Sequence, residues 1–305
     1  MQLEAGRKES QNMPVQEQWI QTGAITTHSW IGGDPANPAL VLLHGAGPGA
    51  SAAANWERIL PDLAGDFYVI APDLVGFGET SLPRRPWPRG WTAWMGLRVE
   101  QVLGLLDALQ VHNAHLIGNS MGGYLALQLL IEVPERFGPS LLMGPAGGAF
   151  TPGPELALMR SFSTDLRPAR LKQVFRAFLY SDEAIPDLDE LVERRYALAA
   201  QPEALEAYEA MMVDGPTPLP PALLSRIRHP ILILHGRFDR IVPLESSIWL
   251  LQHLQAAELK VYDRCGHWIQ LERWEAMQAD IRAFLQHPMT AARRHEAERT
   301  EASPA

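Results

Sequence analysis

The stretch HLIGNSMGGYLAL, His115–Leu127, reads as a strand, a sharp turn and a helix in immediate succession. Apolar residues lead into Gly-Asn-Ser-Met-Gly, and an alanine- and leucine-rich run with helical spacing follows. In that setting Gly118 and Gly122 lack the Cβ atoms that would clash in so tight a turn, and Ser120 can be presented as a nucleophile. The pentapeptide alone leaves a second reading open, in which Ser120 merely caps the helix that it precedes.

Outward from this turn, short apolar runs alternate with amphipathic helical patterns, the signature of a mostly parallel sheet covered by helices. The spacing predicts strands at Ala39–Leu43, Tyr68–Ala71, Ala114–Ile117, Ser140–Met143, Ile231–Leu234 and Leu259–Tyr262. It predicts helices at Trp94–Leu109, Gly122–Ile131, Glu245–Leu254 and Trp274–Leu285. Between about Pro145 and Pro221 the alternation stops and only helical periodicity remains, bounded by the Pro/Gly-rich stretches GPAGGAFTPGP and DGPTPLPP. The expected organisation is a core built from residues 18–145 and 222–288, a helical cap inserted at 146–221, and a disordered polar tail at 289–305.

Composition limits the function classes. A chain of 305 residues, 47% of them hydrophobic, can bury a sizeable core. The net charge of −9 and the lack of a dense Lys/Arg run in the body of the chain argue against nucleic acid as a partner. One cysteine, Cys265, cannot form an internal disulfide, and the start MQLEAGRKESQN lacks the apolar stretch of a signal peptide, so a reducing, cytoplasmic setting is expected. No uninterrupted apolar run approaches the ~20 residues of a membrane helix, and no membrane association is expected.

A serine nucleophile needs a base, and the base needs an orienting carboxylate. The strand run Ile231–Leu234 leads into HGRFDRIVP, which places Asp239 in a loop past a strand's carboxyl end, where catalytic groups gather in open parallel sheets. RCGHWIQLE places His267 on the loop after the next strand run. The chain order Ser120, Asp239, His267 is that of the α/β-hydrolases, so the expected fold is the α/β-hydrolase fold: a mostly parallel sheet, helices on both faces and an inserted helical cap. Acyl chemistry also needs donors for a developing oxyanion, and the glycine-rich loop HGAGPGAS, His44–Ser51, supplies one. In this fold the donors are a backbone amide of that loop and the amide after the nucleophile, here Ala46 and Met121.

Blander readings stand beside each assignment. His267 could bond a carbonyl, and Asp239 could close a turn. The glycine-rich loop could cradle phosphate, but it lacks the Lys-Ser/Thr ending of a P-loop. His44 and His235 read as loop structure, because no histidines or carboxylates show a ligating spacing; no metal is expected. Cys265 reads as a packed thiol.

Seven segments, HGAGPGASAAANW, APDLVGFGET, GNSMGG, LLMGPAGG, FLYSD, RRYALAAQPE and RCGHWIQLE, resemble those of the meta-cleavage product hydrolases, in that family's order and approximate spacing. These are the carbon–carbon bond hydrolases of bacterial aromatic degradation, and the resemblance covers most of the chain. Generic esterases share only the elbow and the His-Gly loop. The resemblance implies that Arg195 and Asn119 bind the 2-oxo/hydroxy carboxylate end of a dienoate, with Asn55, Trp268 and Phe178 lining the same part of the site. It further implies a small-molecule substrate, no organic cofactor or metal, and products that are a 2-hydroxypenta-2,4-dienoate and a carboxylic acid. A homo-oligomer, dimer or larger, is expected. A planar guanidinium suits a carboxylate with an adjacent oxygen, although from pattern alone Glu193, Arg194 and Arg195 read as a solvated helix face. Asn119 could equally serve the turn and Trp268 the core. Three functional classes stay open: carbon–carbon hydrolase, carboxylesterase or lactonase with the same triad, and a catalytically silent binding protein. Attack by serine and attack by histidine-activated water also both stay open.

Overall fold

The run Ala39–Leu43 forms strand β3 with every residue buried, and its side chains divide strictly by parity. Val41 and Leu43 enter one apolar cluster, and Leu40 and Leu42 enter another on the opposite face. That two-sided burial is what a central strand of a parallel sheet requires, and it explains why the run is continuously apolar. A computed structural model describes residues 14–286. Within them β1 (Gln16–Thr22), β2 (Ile25–Gly32), β3 (Ala39–Leu43), β4 (Tyr68–Pro72), β5 (Ala114–Asn119), β6 (Phe137–Met143), β7 (Ile231–Gly236) and β8 (Ala257–Tyr262) form one sheet. Its order is β1-β2-β4-β3-β5-β6-β7-β8. Every pair from β4 to β8 is parallel, whereas β2 runs antiparallel to both β1 and β4.

The β1–β2 hairpin is absent from the expectations drawn from sequence. Its first strand, QEQWIQT, is exposed or half-buried until Thr22, so it carries no apolar run to detect. One-sided burial at a sheet edge produces alternation with polar residues.

Helices α1 (Ala52–Trp56) and α2 (Leu60–Ala64) follow β3, α3 (Trp91–Ala108) follows β4, and α4 (Met121–Glu132) follows β5. One face of the sheet is covered by α3 and α4 through Val102, Leu106, Leu125 and Leu129. Trp56 and Leu63 of α1 and α2 cover the other. Between β6 and β7 lie α5 (Pro154–Arg160), α6 (Pro168–Phe178), α7 (Leu188–Ala199), α8 (Pro202–Met211) and the short α9 (Pro221–Leu224), with no strand among the described residues. The first three of these build a cluster of their own around Leu171, Phe175 and Val192, joined by Ile241, Val242 and Trp268 from core loops. Helix α8 instead sends Tyr208 and Met211 into the main core. The chain closes with α10 (Leu244–His253), α11 (Ile269–Glu272) and α12 (Trp274–Gln286). No described helix is long and apolar enough to cross a membrane. Residues 289–305, expected to form a disordered tail, lie outside the described residues.

Because β3, β5, β7 and β8 are parallel, the loops that leave their carboxyl ends share one edge of the sheet. Those loops carry Ala46, Ser120, Asp239 and His267.

Candidate active site

Strand β5 ends at Asn119 and α4 starts at Met121, so the whole reversal falls on Ser120, with φ 56° and ψ −113°. A side-chain carbon at Gly118 would overlap the Gly122 carbonyl, and one at Gly122 would overlap the Leu43 carbonyl. Only glycine fits either position. Ser120 occupies the N-cap position of α4, yet its hydroxyl makes no capping hydrogen bond. The residue holds a backbone conformation that costs about 1–3 kcal/mol and takes none of the usual capping return for it. Ser120 lines a narrow cavity of about 30 Å³.

Asp239 lies three residues past β7 in a turn that its own side chain closes. Oδ1 accepts the amides of Ile241 and Val242 at 2.8 and 2.9 Å. Oδ2 faces His267 Nδ1 at 2.6 Å. Burial works to raise the Asp239 carboxyl, but the charge and hydrogen bond of His267, aided by His235 and the Val242 amide, hold it below the ordinary carboxylate range. An ionised carboxylate only accepts, so Nδ1 of His267 carries a proton, and a ring acting as a base would present its lone pair at Nε2. That Nε2 atom is buried and has no partner. The end of β6 joins this pair to the elbow. Ser120 donates its amide to the Met143 carbonyl at 2.9 Å and accepts the Ala146 amide at 3.1 Å. A Cβ on Gly144, between those two residues, would stand 3.0 Å from Asp239 Oδ2 and 3.1 Å from His267 Nδ1. Ser120, Asp239 and His267 thus surround one short turn.

The amide of Met121 opens α4, where first-turn N–H groups have no helical acceptor, and Ala46 and Met121 line the same cavity as Ser120. Helix polarity adds positive potential there.

A second group of side chains meets beside the His44–Ser51 loop, and none of them lines that cavity. Asn119 donates to the Met143 carbonyl at 3.1 Å and accepts from Asn55 Nδ2 at 3.2 Å. Phe178, at the end of α6, stacks on Trp268 with centroids 4.8 Å apart and 19° between planes, and it accepts the His267 amide on its carbonyl at 2.7 Å. Arg195 is only 3% exposed. Its guanidinium sits over Phe175 at 4.6 Å and Trp268 at 5.3 Å, and a Cβ on Gly47 would reach its Nη2 at 3.1 Å. Burial pushes its pKa down to about 9, and Nε has no partner. Arg195 takes part in none of the ion pairs among the described residues, whereas its neighbour Arg194 is exposed and pairs with Glu57 at 3.1 Å. The charge run Glu193-Arg194-Arg195 therefore splits, and the solvated-face reading fails for Arg195.

Sequence reasoning missed Phe175, three residues before Phe178 on the same face of α6, and the Ile241 and Val242 amides that fix Asp239. The (i, i+3) aromatic pair on α6 is a signal that could have found the first; backbone donors leave none. His44 lies in the loop after β3 as expected, but His235 lies within β7, because the strand extends through it to Gly236 and pairs it with Val261. His44 Nε2 accepts the Leu74 amide at 2.9 Å, and burial lowers its pKa to about 4. His235 bridges Ser247 Oγ at 2.7 Å and the Val242 carbonyl at 2.9 Å. Cys265 is buried, and that burial pushes its thiol well above the ordinary range.

A model of the alpha/beta hydrolase fold family matches residues 38–273. A 2-hydroxy-6-oxo-2,4-heptadienoate hydrolase of Pseudomonas putida is 37% identical over 83% of this chain and 90% of its own length. A 2-hydroxymuconate semialdehyde hydrolase of a Pseudomonas species is 34% identical over 92% and 98%. Among solved structures, the 2-hydroxy-6-oxo-6-phenylhexa-2,4-dienoate hydrolase of a Rhodococcus strain superposes with a TM-score of 0.87 at 44% identity, covering 90% of this chain and 99% of the other. With fold, elbow and polar cleft all in place, the chain belongs to the alpha/beta hydrolase fold family and, within it, to the meta-cleavage product hydrolases.

Proposed function

We propose that the protein hydrolyses the carbon–carbon bond next to the 6-oxo group of a 2-hydroxy-6-oxohexa-2,4-dienoate, releasing a 2-hydroxypenta-2,4-dienoate and a carboxylic acid. The observation that carries this reading is Arg195, buried beside the oxyanion loop with its Nε unpartnered and absent from the lining of the cavity at Ser120. A charge kept out of water without a partner is costly, and a substrate carboxylate removes that cost by binding. An ester hydrolase acting on neutral esters has no use for such a residue.

In this scheme Arg195 and Asn119 hold the carboxylate and 2-oxygen, while Asn55, Phe178 and Trp268 shape the same side of the cleft. His267 moves the proton of the 2-hydroxyl to C5, giving the 2,6-dioxo tautomer. That step comes first because fission of the dienol would expel an unstabilised carbanion. His267 Nε2 next takes the Ser120 proton, Oγ adds to C6, and the Ala46 and Met121 amides hold the alkoxide. The C5–C6 electron pair leaves through the conjugated chain to the 2-oxygen, and the stabilised dienolate takes the proton from His267 and departs as 2-hydroxypenta-2,4-dienoate, which leaves His267 free to act as a base again. Water, deprotonated by His267, then releases the acid from Ser120. Asp239 keeps the imidazole in the required tautomer throughout. Residues 146–221 act as the cap that closes the cleft to solvent. We place the protein in the cytoplasm as a homo-oligomer, a state that light scattering measures directly; the single buried cysteine suits a reducing compartment.

Mixing the enzyme with a coloured 6-substituted dienoate and identifying the products by mass tests the reading. Loss of colour with equimolar 2-hydroxypenta-2,4-dienoate and acid is expected. Turnover of aryl esters with no loss of dienoate colour would return the chain to the esterase or lactonase class.

A further inference from the structure

We infer that the acyl group this enzyme transfers to Ser120 is uncharged and apolar, and that an acyl chain ending in a carboxylate is rejected; the substrate class so named rests on the carbon–carbon hydrolase reading above. The three relatives compared above are named for substrates that differ in the group on this carbonyl carbon, so membership of the family leaves it open.

The cavity that opens on Ser120, Ala46 and Met121 holds the group attached to C6, because Asn55, Asn119, Phe178, Arg195 and Trp268, which hold the dienoate end in the scheme above, are all absent from its lining. Its walls are Phe150, Leu156, Met159, Met212, Ile241 and Val242 with a few further neutral residues, and none of the residues lining it is charged. Leu156 and Met159 lie three apart on α5 and present one face of that helix. Ile241 and Val242 come from the turn whose amides hold Asp239, so the acyl wall and the triad carboxylate are positioned by one loop. Met159 and Met212 let the walls adapt to the shape of an alkyl or aryl group. They provide nothing for a charge. The cation next in sequence, Arg160, is exposed and lies against Gly215, where an added Cβ would collide with its guanidinium. A carboxylate placed in this cavity would lose its water and gain no partner, which is among the costliest arrangements a protein can impose.

The test compares 2-hydroxy-6-oxonona-2,4-dienoate with 2-hydroxy-6-oxonona-2,4-dienedioate. These deliver butanoyl and succinyl groups of equal chain length, so only the terminal charge differs. The neutral substrate is expected to exceed the dioate in kcat/KM by at least about 10²-fold, the scale on which an unpaired buried charge is felt. The same two acyl groups, offered as 4-nitrophenyl butanoate and 4-nitrophenyl hemisuccinate with the enzyme-free rate subtracted, reach Ser120 without the dienoate half and should be ranked in the same order. Dienoate and dioate turned over within tenfold of each other would overturn the inference. If neither dienoate lost its colour while the esters were still separated by charge, the carbon–carbon reading would fail and the selectivity of the acyl cavity would stand.

Discussion

Replacing Ser120 with alanine is expected to lower kcat for the dienoate by on the order of 10⁶, the loss seen when the nucleophile of a comparable triad is removed. The fold should survive, because the elbow depends on Gly118 and Gly122, and the serine hydroxyl caps nothing. Relief of the positive φ is not expected either, since alanine meets the same steric restriction. The alanine variant should therefore melt within a few degrees of the parent while turnover disappears. Mass spectrometry of a quenched reaction should show an acylated Ser120 in the parent and none in the variant. Retention of more than about a tenth of parental turnover would mean that His267 activates water for direct attack on C6.

Asp239→Asn removes one charge and keeps the shape. The amide oxygen can still accept from Ile241 and Val242, which directs the NH₂ group toward His267 Nδ1. Two donors cannot face each other, so the imidazole moves its proton to Nε2 and loses the lone pair that must deprotonate Ser120. A loss on the order of 10⁴ in kcat is expected. Because the substituted residue is also a neutral partner for a histidinium, raising the pH should not restore the rate. Activity near the parental level would assign the orienting carboxylate to another residue.

The central parallel strands were legible because they are buried on both faces and so are spelled as apolar runs; β3 and β4, buried at every residue, show this most plainly. The β1–β2 hairpin was not, because the exposed edge strand β1 is mostly polar and the buried β2 carries Thr27, His28 and Ser29 in its middle. The three residues of the triad could be read from chain order together with their places just past strand ends. What sequence pattern could not supply was the direction of Arg195, which sits in a charge run. The buried positions of α7, Leu188, Leu191, Val192, Arg195 and Ala199, repeat at helical spacing, and an arginine in that series belongs to the inner face. The periodicity was present, and the adjacent Glu193 and Arg194 concealed it. The turn at Ile241 and Val242 was hidden for another reason: it works through backbone amides, to which the side chains give no clue.

Arg195→Met, assayed on one preparation with a 6-alkyl dienoate and with 4-nitrophenyl butanoate, tests the central claim most directly. Methionine keeps most of the volume over Phe175 and Trp268 and removes a buried charge that has no partner in the free enzyme, so the melting temperature should hold or rise. A loss of roughly 2–5 kcal/mol in transition-state stabilisation for the dienoate corresponds to a fall of about 10² or more in kcat/KM. The neutral ester has no carboxylate to hold, and its hydrolysis should change by less than about tenfold. Equal losses on both substrates at an unchanged melting temperature would contradict the assignment of Arg195 to the dienoate carboxylate and, with it, the carbon–carbon hydrolase account of the cleft.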